Sequence, residues 1–280
     1  MKVIGIDIGG TKTSIGIINT NSGKISQNVE FPSKSFNHDN DNLEKIISTA
    51  KDLAKKNSIK LIGIGVPELI DNQGIVRGSY NFNWDKLNFK KCFSRNMNVF
   101  VDSDVRNHLR AEKFFGHGIR HKNFAYVNIG SGISYALLIN NEIYSGYRGY
   151  AIHFGSSLLN LYDNKTKKSY SQIPEDHYSG KTIVENIDKL KTKNEKLFYL
   201  NQVAVSLASM VGNLINTIDP EFIVLGGGVV LNNKLFTKNL IEYSRDYIIA
   251  LDAKKMKFHI SKLKKNTGLI GAGLLHREII

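Results

Sequence analysis

Two glycine-rich turns, about half the chain apart and each set between runs of β-forming residues, constrain the fold more than any other feature. The first is Val3-Ile4-Gly5-Ile6-Asp7-Ile8-Gly9-Gly10-Thr11-Lys12-Thr13, running on through Ser14 to Ile18. The second is Tyr126-Val127-Asn128-Ile129-Gly130-Ser131-Gly132-Ile133-Ser134, running on through Tyr135 to Ile139. Each reads strand, tight turn, strand. Glycines leave backbone N–H groups bare, so a phosphate can approach closely. Two such turns suggest a clamp on one polyphosphate.

The 280 residues fit about two domains. No apolar run approaches the ~18 residues of a membrane span. The N-terminus enters a strand at once, so a signal peptide is not expected and the expected location is cytoplasmic. Cys92 is the one cysteine, which excludes an internal disulfide and a multi-cysteine zinc site. The formal charge of +13 comes from dispersed lysines. With no helix-turn-helix ahead of residue 1 and no aromatic RNA-binding motif, neither nucleic acid nor membrane is the expected partner.

Strands and helices alternate through both halves, which argues an α/β class. Strands are expected through 1–31, at 60–67 and at 99–102, with a polar loop at 32–41. A capping pair, Asp41 and Glu44, opens a helix to about Asn57. Asp104 can cap a helix reaching Phe115, with Gly116 and Gly118 ending it. After the second hairpin come a loop at 146–155 and a polar stretch near 160–177. A long helix at 196–217 follows, with Val203, Leu207, Val211 and Leu214 at helical spacing. Asp219-Pro220 breaks it, a strand at 222–225 runs into Gly226-Gly227-Gly228, and helices are expected near 232–248 and 267–277.

Four motifs in this order carry a resemblance. Asp7-x-Gly9-Gly10-Thr11-Lys12, then Gly130-Ser131-Gly132-Ile133, then Ile223-Val224-Leu225-Gly226-Gly227-Gly228 after Asp219-Pro220, and Gly268-Leu269-Ile270-Gly271-Ala272 near the end, together resemble the ROK sugar kinases of the actin-like ATPase superfamily. The resemblance runs nearly end to end. It implies a two-domain actin-like ATPase (ribonuclease H-like) fold with an interdomain active-site cleft. Residues 1–115, joined by the last helix at 267–280, would form one domain and 116–266 the other.

It also implies an ATP-dependent kinase that phosphorylates a hydroxyl of a sugar or sugar derivative, with magnesium and as a homodimer. The nucleotide set would be Asp7, Gly9, Gly10, Thr11, Lys12, Gly130, Ser131, Gly132, Gly226, Gly227 and Gly228. Asp7 would also orient magnesium through water. Asp104 matches the family's catalytic base, although such a residue can also be a plain helix cap. Lys12 fits a phosphate contact or a surface lysine equally well.

The acceptor pocket departs from the family. Its members pair the base with a preceding asparagine, where this chain has Ser103. They then carry Glu-x-Gly-His, where this chain has His153 and Ser156. A later sugar-binding glutamate survives as Glu175, and Asn81 resembles a motif at the cleft edge. The acceptor set is therefore Asn81, Ser103, His153, Ser156 and Glu175. Most relatives carry a cysteine-rich zinc loop before that glutamate. Lys165 to Ile173 has no cysteine, so no zinc is expected. A carboxylate accepts several hydroxyl bonds, whereas a neutral imidazole offers one donor and one acceptor. Plain glucose and ordinary 2-acetamido hexoses are thus disfavoured as substrates. Trp84 reads as a lid over a sugar face or as a core residue, and Arg106 as a contact for an anionic group or as helix surface. Two other readings stay open: a regulator that binds sugar or nucleotide without turnover, and polyphosphate as the donor.

Overall fold

The computed structural model describes residues 1–34 and 38–277. The chain opens with strands β1 (Lys2–Ile8), β2 (Lys12–Asn19) and β3 (Ile25–Pro32), followed by helix α1 (Asp39–Asn57) and strand β4 (Leu61–Val66). A short pair, β5 (Leu69–Ile70) and β6 (Val76–Gly78), precedes β7 (Asn98–Ser103) and α2 (Asp104–Phe115). The second half has β8 (Phe124–Ile129), β9 (Ile133–Ile139), β10 (Glu142–Tyr144) and the hairpin β11 (Leu159–Asp163) and β12 (Lys168–Gln172). Helices α3 (Pro174–Tyr178), α4 (Gly180–Lys189) and α5 (Lys193–Ile218) follow. Strand β13 (Phe222–Gly226), helices α6 (Gly228–Asn232) and α7 (Lys234–Asp246), strand β14 (Lys257–Ile260) and helix α8 (Thr267–Gly273) complete the fold.

Two five-stranded sheets share one plan. The first runs β3-β2-β1-β4-β7 and the second β10-β9-β8-β13-β14. In the first, β1, β2 and β3 meander antiparallel, while β4 and β7 add in parallel on the far side of β1. In the second, β10 pairs antiparallel with β9, and β13 lies parallel between β8 and β14. The central strands are buried almost throughout, which explains why β1 and β8 read as continuous apolar runs rather than alternating ones.

The chain divides into two compact units. One comprises Met1–Lys122, Ala136–Ile152 and the chain from Lys265 onward; the other comprises Asn123–Tyr135 and His153–Lys264. Residues 136–152, expected from sequence in the second domain, thus group with the first unit.

In the first unit, Ile46, Ala50, Leu53 and Ala54 form the buried stripe of α1 over β1 and β2. They join Ile4, Ile6, Ile15, Ile17, Ile62 and Ile64 in one core. Each such aliphatic side chain contributes about 1.5–3 kcal/mol when fully buried. Helix α1 starts at Asp39, with no side-chain cap at His38, two residues before the expected Asp41. Its first turn is tethered instead: Asp39 accepts the Asn83 N–H at 2.7 Å, and its carbonyl accepts the Trp84 indole N–H. Helix α8 lies so close to the sheet that a Cβ on Gly5 would sit 2.6 Å from the Leu269 carbonyl, and one on Gly63 would collide with the Ala272 carbonyl. The expected loop at 32–41 includes residues 35–37, and the expected last helix extends to 280; residues 35–37 and 278–280 lie outside the described residues.

In the second unit, α5 begins with a capping box of Thr192 and Glu195. It ends at Asp219, at φ 42°, directly before Pro220. It is long and apolar enough to cross a membrane by composition alone. Val203, Leu207, Val211 and Ile215 are buried, and the helix packs on α7. Gly212 makes that contact possible, since a Cβ there would lie 2.5 Å from the Tyr247 Cβ. The helix expected near 232–248 is α7, capped at Asn233, whose side chain accepts the Phe236 N–H, and the short α6 precedes it.

Candidate functional site

Both units place their candidate residues at the carboxyl ends of parallel strands, where open α/β sheets bind ligands. In the first unit these are the ends of β1, β4 and β7. Asp7 stands opposite Ser14 of β2 and Gly65 of β4, and Gly65 stands opposite Asp102 of β7. The first glycine turn closes by the Gly9 N–H donating to the Lys12 carbonyl at 2.9 Å. The Thr11 carbonyl accepts the Ser33 N–H, which ties the turn to the end of β3.

Asp104 is the first residue of α2, and the cap is its neighbour: the Ser103 hydroxyl accepts the Arg106 N–H. Ser103 is fully buried. Ser103 thus caps α2 through its lone pair and keeps its O–H as a donor, and the expected cap at Asp104 moves back by one residue. The Asp104 carboxyl accepts the Val105 N–H at 2.7 Å. Its pKa is pushed up to about 7, first by burial and then by the negative charge of Asp7, with Glu68 adding to it; the Val105 bond and Arg106 oppose the rise. The Asp7 pKa rises to about 6 through burial, partly offset by Lys12 and reinforced by Glu30. Gly268 of α8 backs this carboxylate so closely that a Cβ there would collide with it.

Glu68 belongs to the same neighbourhood and carries no sequence expectation. It is buried at the end of β4, where its carboxylate accepts the Tyr80, Asn81 and Phe82 N–H groups at 2.6, 2.7 and 2.9 Å. Burial raises its pKa against those three bonds. The result is a fixed Asn81. The Asn81 amide donates to the Pro67 carbonyl at 2.7 Å, and a Cβ on Gly10 would come within 2.8 Å of its oxygen. Asn81 thus sits over the first glycine turn. A charged residue immediately after a buried strand and Pro67 was the available signal for Glu68.

Lys12 points along the sheet, with its ammonium 2.9 Å from Glu30. Arg106 is buried, neither a contact for an anionic ligand nor helix surface. It pairs with Asp102 at 2.5 Å and donates to the Gly149 carbonyl at 2.9 Å. Arg110 holds the other Asp102 oxygen at 2.9 Å, and the two guanidinium groups keep that carboxyl below the usual range against the cost of burial. Trp84 is core: it stacks on Phe82 with ring centroids 4.2 Å apart and meets Phe89 edge-on.

The second unit assembles its glycines in the same way. The Gly130 N–H donates to the Gly132 carbonyl at 2.9 Å, and the Gly130 carbonyl accepts the Gly180 N–H at 2.7 Å. Gly227, at φ 90°, leaves no room for a side chain, since its Cβ would lie 2.8 Å from the Gly130 nitrogen. A Cβ on Gly130 would lie 3.6 Å from the Gly228 nitrogen. The Gly130–Gly132 turn and the Gly226–Gly228 turn therefore abut, backbone to backbone, with Ser131 exposed at the tip. A Cβ at Gly132, Gly226 or Gly227 would clash with Glu175, Tyr126 or the Ile129 carbonyl, whereas Gly130 and Gly228 have ordinary room; close approach of a phosphate needs this surface bare.

Glu175, in the first turn of α3, reaches into the same turn. Its carboxylate accepts the Ile133 N–H at 2.5 Å and the Ser156 hydroxyl at 3.3 Å. Its own N–H donates to the Gly155 carbonyl. His153 is half-buried, and its pKa is lowered by burial against the opposing charge of Glu175. His153, Ser156 and Glu175 thus form one cluster. Among the described residues no group of three or more His, Cys, Asp or Glu side chains is placed to hold a metal ion. Asp7, a desolvated carboxylate near the end of β1, fits a hydrated magnesium, which takes one or two carboxylates and keeps its waters.

The chain is 23% identical over 313 residues to a glucokinase of Thermotoga maritima, with 100% of this chain and 98% of the relative covered. It is also 23% identical over 310 residues to a xylose repressor of Caldicellulosiruptor bescii, covering 96% of this chain and 76% of the repressor. Among solved structures, the ROK family glucokinase of Streptomyces griseus, determined with glucose and AMPPNP, superposes with a TM-score of 0.81 at 19% identity, over 99% of this chain and all of that one. This likeness identifies the actin-like ATPase fold, and the plan shared by the two five-stranded sheets accords with it. A family model for ROK proteins matches residues 3–279, and the chain belongs to the ROK family.

Proposed function

We propose that this chain is an ATP-dependent kinase that transfers the γ-phosphoryl group to a hydroxyl of a sugar or sugar derivative, with Asp104 as general base. The observation that carries the reading is the Asp104 carboxyl itself. It stands at the carboxyl end of β7, and burial together with Asp7 and Glu68 brings its pKa to about 7. A base is most effective when its pKa lies near the working pH. The likeness to glucokinases supports the same chemistry.

In this reading Asp104 accepts the hydroxyl proton as the oxygen attacks phosphorus. Asp7 is the residue that would hold magnesium through water, and the ion would supply neutralisation of the charge that builds on the donor phosphates. The amides of Gly9 to Lys12 and of Gly130 to Gly132, with those of Gly226 to Gly228, take the phosphate and adenosine side of the donor. Asn81 is held by Glu68 and Pro67 to orient the acceptor. Glu175, Ser156 and His153 make the second acceptor set. An imidazole kept neutral by burial and a carboxylate already engaged by Ile133 offer a different hydroxyl pattern from a free glutamate. Plain glucose is therefore expected to be a poor acceptor.

The test is ADP release by the purified protein with MgATP across hexoses, N-acetylated and free amino sugars, pentoses and polyols. Turnover with at least one of them, above the glucose rate, supports the reading. ATP binding with no turnover on any acceptor favours the second reading, a regulator that binds without chemistry. The likeness to xylose repressors is the observation behind that alternative.

A further inference from the structure

We infer that Glu175 is a positioning residue for the second glycine turn and makes that turn answer to the acceptor side. The inference rests on the kinase reading for its functional meaning and on the second unit alone for its geometry. The Glu175 carboxylate spans two loops. One oxygen accepts the Ile133 N–H at 2.5 Å, directly after Gly132, and the other accepts the Ser156 hydroxyl at 3.3 Å. Gly132 gives way to it: a Cβ there would lie 2.9 Å from the same carboxylate oxygen.

The backbone repeats the link. The Glu175 N–H donates to the Gly155 carbonyl at 2.9 Å, and the Gly155 N–H donates to the Ile133 carbonyl at 3.2 Å. Ile133 is thereby held on its N–H by the Glu175 carboxylate and on its carbonyl by Gly155, in the segment that carries His153 and Ser156. At the next step along α3, the Ser179 N–H donates to the Glu175 carbonyl, and the Gly180 N–H closes on the Gly130 carbonyl. The turn is thus gripped at its first and last residues by groups on either side of one short helix.

A carboxylate offers about four lone-pair sites, so with two engaged Glu175 can still meet a sugar hydroxyl while it holds the turn. It also has a lever on the turn. A bond from a backbone amide to an ionised carboxylate is among the stronger hydrogen bonds, so its loss frees the Gly130–Ile133 backbone. A ligand hydroxyl that drew on Glu175 would alter its hold on Ile133, and a phosphate that fixed the turn would fix Glu175. Such coupling is reciprocal.

The experiment compares the full-length protein with E175A, E175Q and S156A. The first readout is hydrogen exchange at the Ile133 amide, measured by NMR. Exchange should accelerate about ten- to a hundredfold in E175A, the range that a bond to a charged group is worth. E175Q keeps a carbonyl oxygen for this amide and should fall between E175A and the parent, while S156A should change it less than about threefold. Should E175A fail to fold, E175Q carries the same comparison. The second readout is the affinity for Mg-AMPPNP in the absence of any sugar. A positioning role weakens it in E175A and restores much of it in E175Q. A residue that only contacts the acceptor leaves it unchanged. Ile133 exchange unaltered in both Glu175 variants overturns the inference. A parent that does not bind Mg-AMPPNP overturns the kinase reading instead, and the exchange data still decide the role of Glu175.

Discussion

Asp104 carries a cost in stability that its proposed role explains. Its pKa rises from 3.8 to about 7, and that of Asp7 from 3.8 to about 6. Between the ordinary value and the raised one, the folded chain keeps a proton that the unfolded chain has lost. Both groups therefore favour the folded state at the acid end of this window, and that advantage is lost as pH rises through it. D104N removes the larger share. The variant should be more stable than the parent at about pH 8, with the difference shrinking towards about pH 4.5. Denaturant unfolding at the two values checks this, and equal differences at both would contradict it. The position of Asp104, straight after a short strand and opening a helix, could be read in the sequence because strand and helix periodicity both register there. Its environment could not, since Glu68 and Asp7 approach it only through sheet pairing.

Helix α2 shows what local patterns miss. Ser103 and Asp104 both suit an N-cap, and sequence does not say which hydroxyl or carboxyl meets the Arg106 amide. The structure gives that bond to Ser103. S103A should cost about 1 kcal/mol, the usual loss of a cap, and thermal unfolding with acceptor kinetics tests it. A large rise in acceptor KM without loss of stability would assign Ser103 to the acceptor set rather than to the cap. Arg106, three residues on, is one of the two arginines that pair with Asp102 in a buried cluster. R106A should destabilise by about 3–5 kcal/mol, because it strands part of a buried carboxylate. A surface arginine would cost within about 0.5 kcal/mol, so denaturant titration separates the two outcomes. Elsewhere the polar stretch at 160–177 holds the β11–β12 hairpin and α3, which the sequence conceals because β12, Lys168–Gln172, is polar apart from Tyr170 and mostly exposed.

Across the molecule, two sheets of identical order each end a central strand in a glycine turn. Each turn has a glutamate beside it. Glu68 fixes the loop that lays Asn81 over Gly10, and Glu175 fixes Ile133 beside Gly132. The turns themselves were evident in the sequence, because glycine between apolar runs has few other uses. Glu68 was not, since it lies far along the chain from the turn it serves, and Glu175, expected as an acceptor contact, gave no sign of its bond to Ile133. Nor was the grouping of 136–152 with the first unit, which depends on long-range contacts. The kinase reading turns on phosphoryl transfer through Asp104. Single-turnover transfer from ATP to the best acceptor of the sugar panel, in the parent and in D104N with Mg-AMPPNP affinity measured alongside, tests this most directly. The account predicts a loss of about 10²–10⁴-fold in D104N with nucleotide affinity retained, and a parent rate that falls as pH drops below about 7. Transfer in D104N at the parent rate would contradict it.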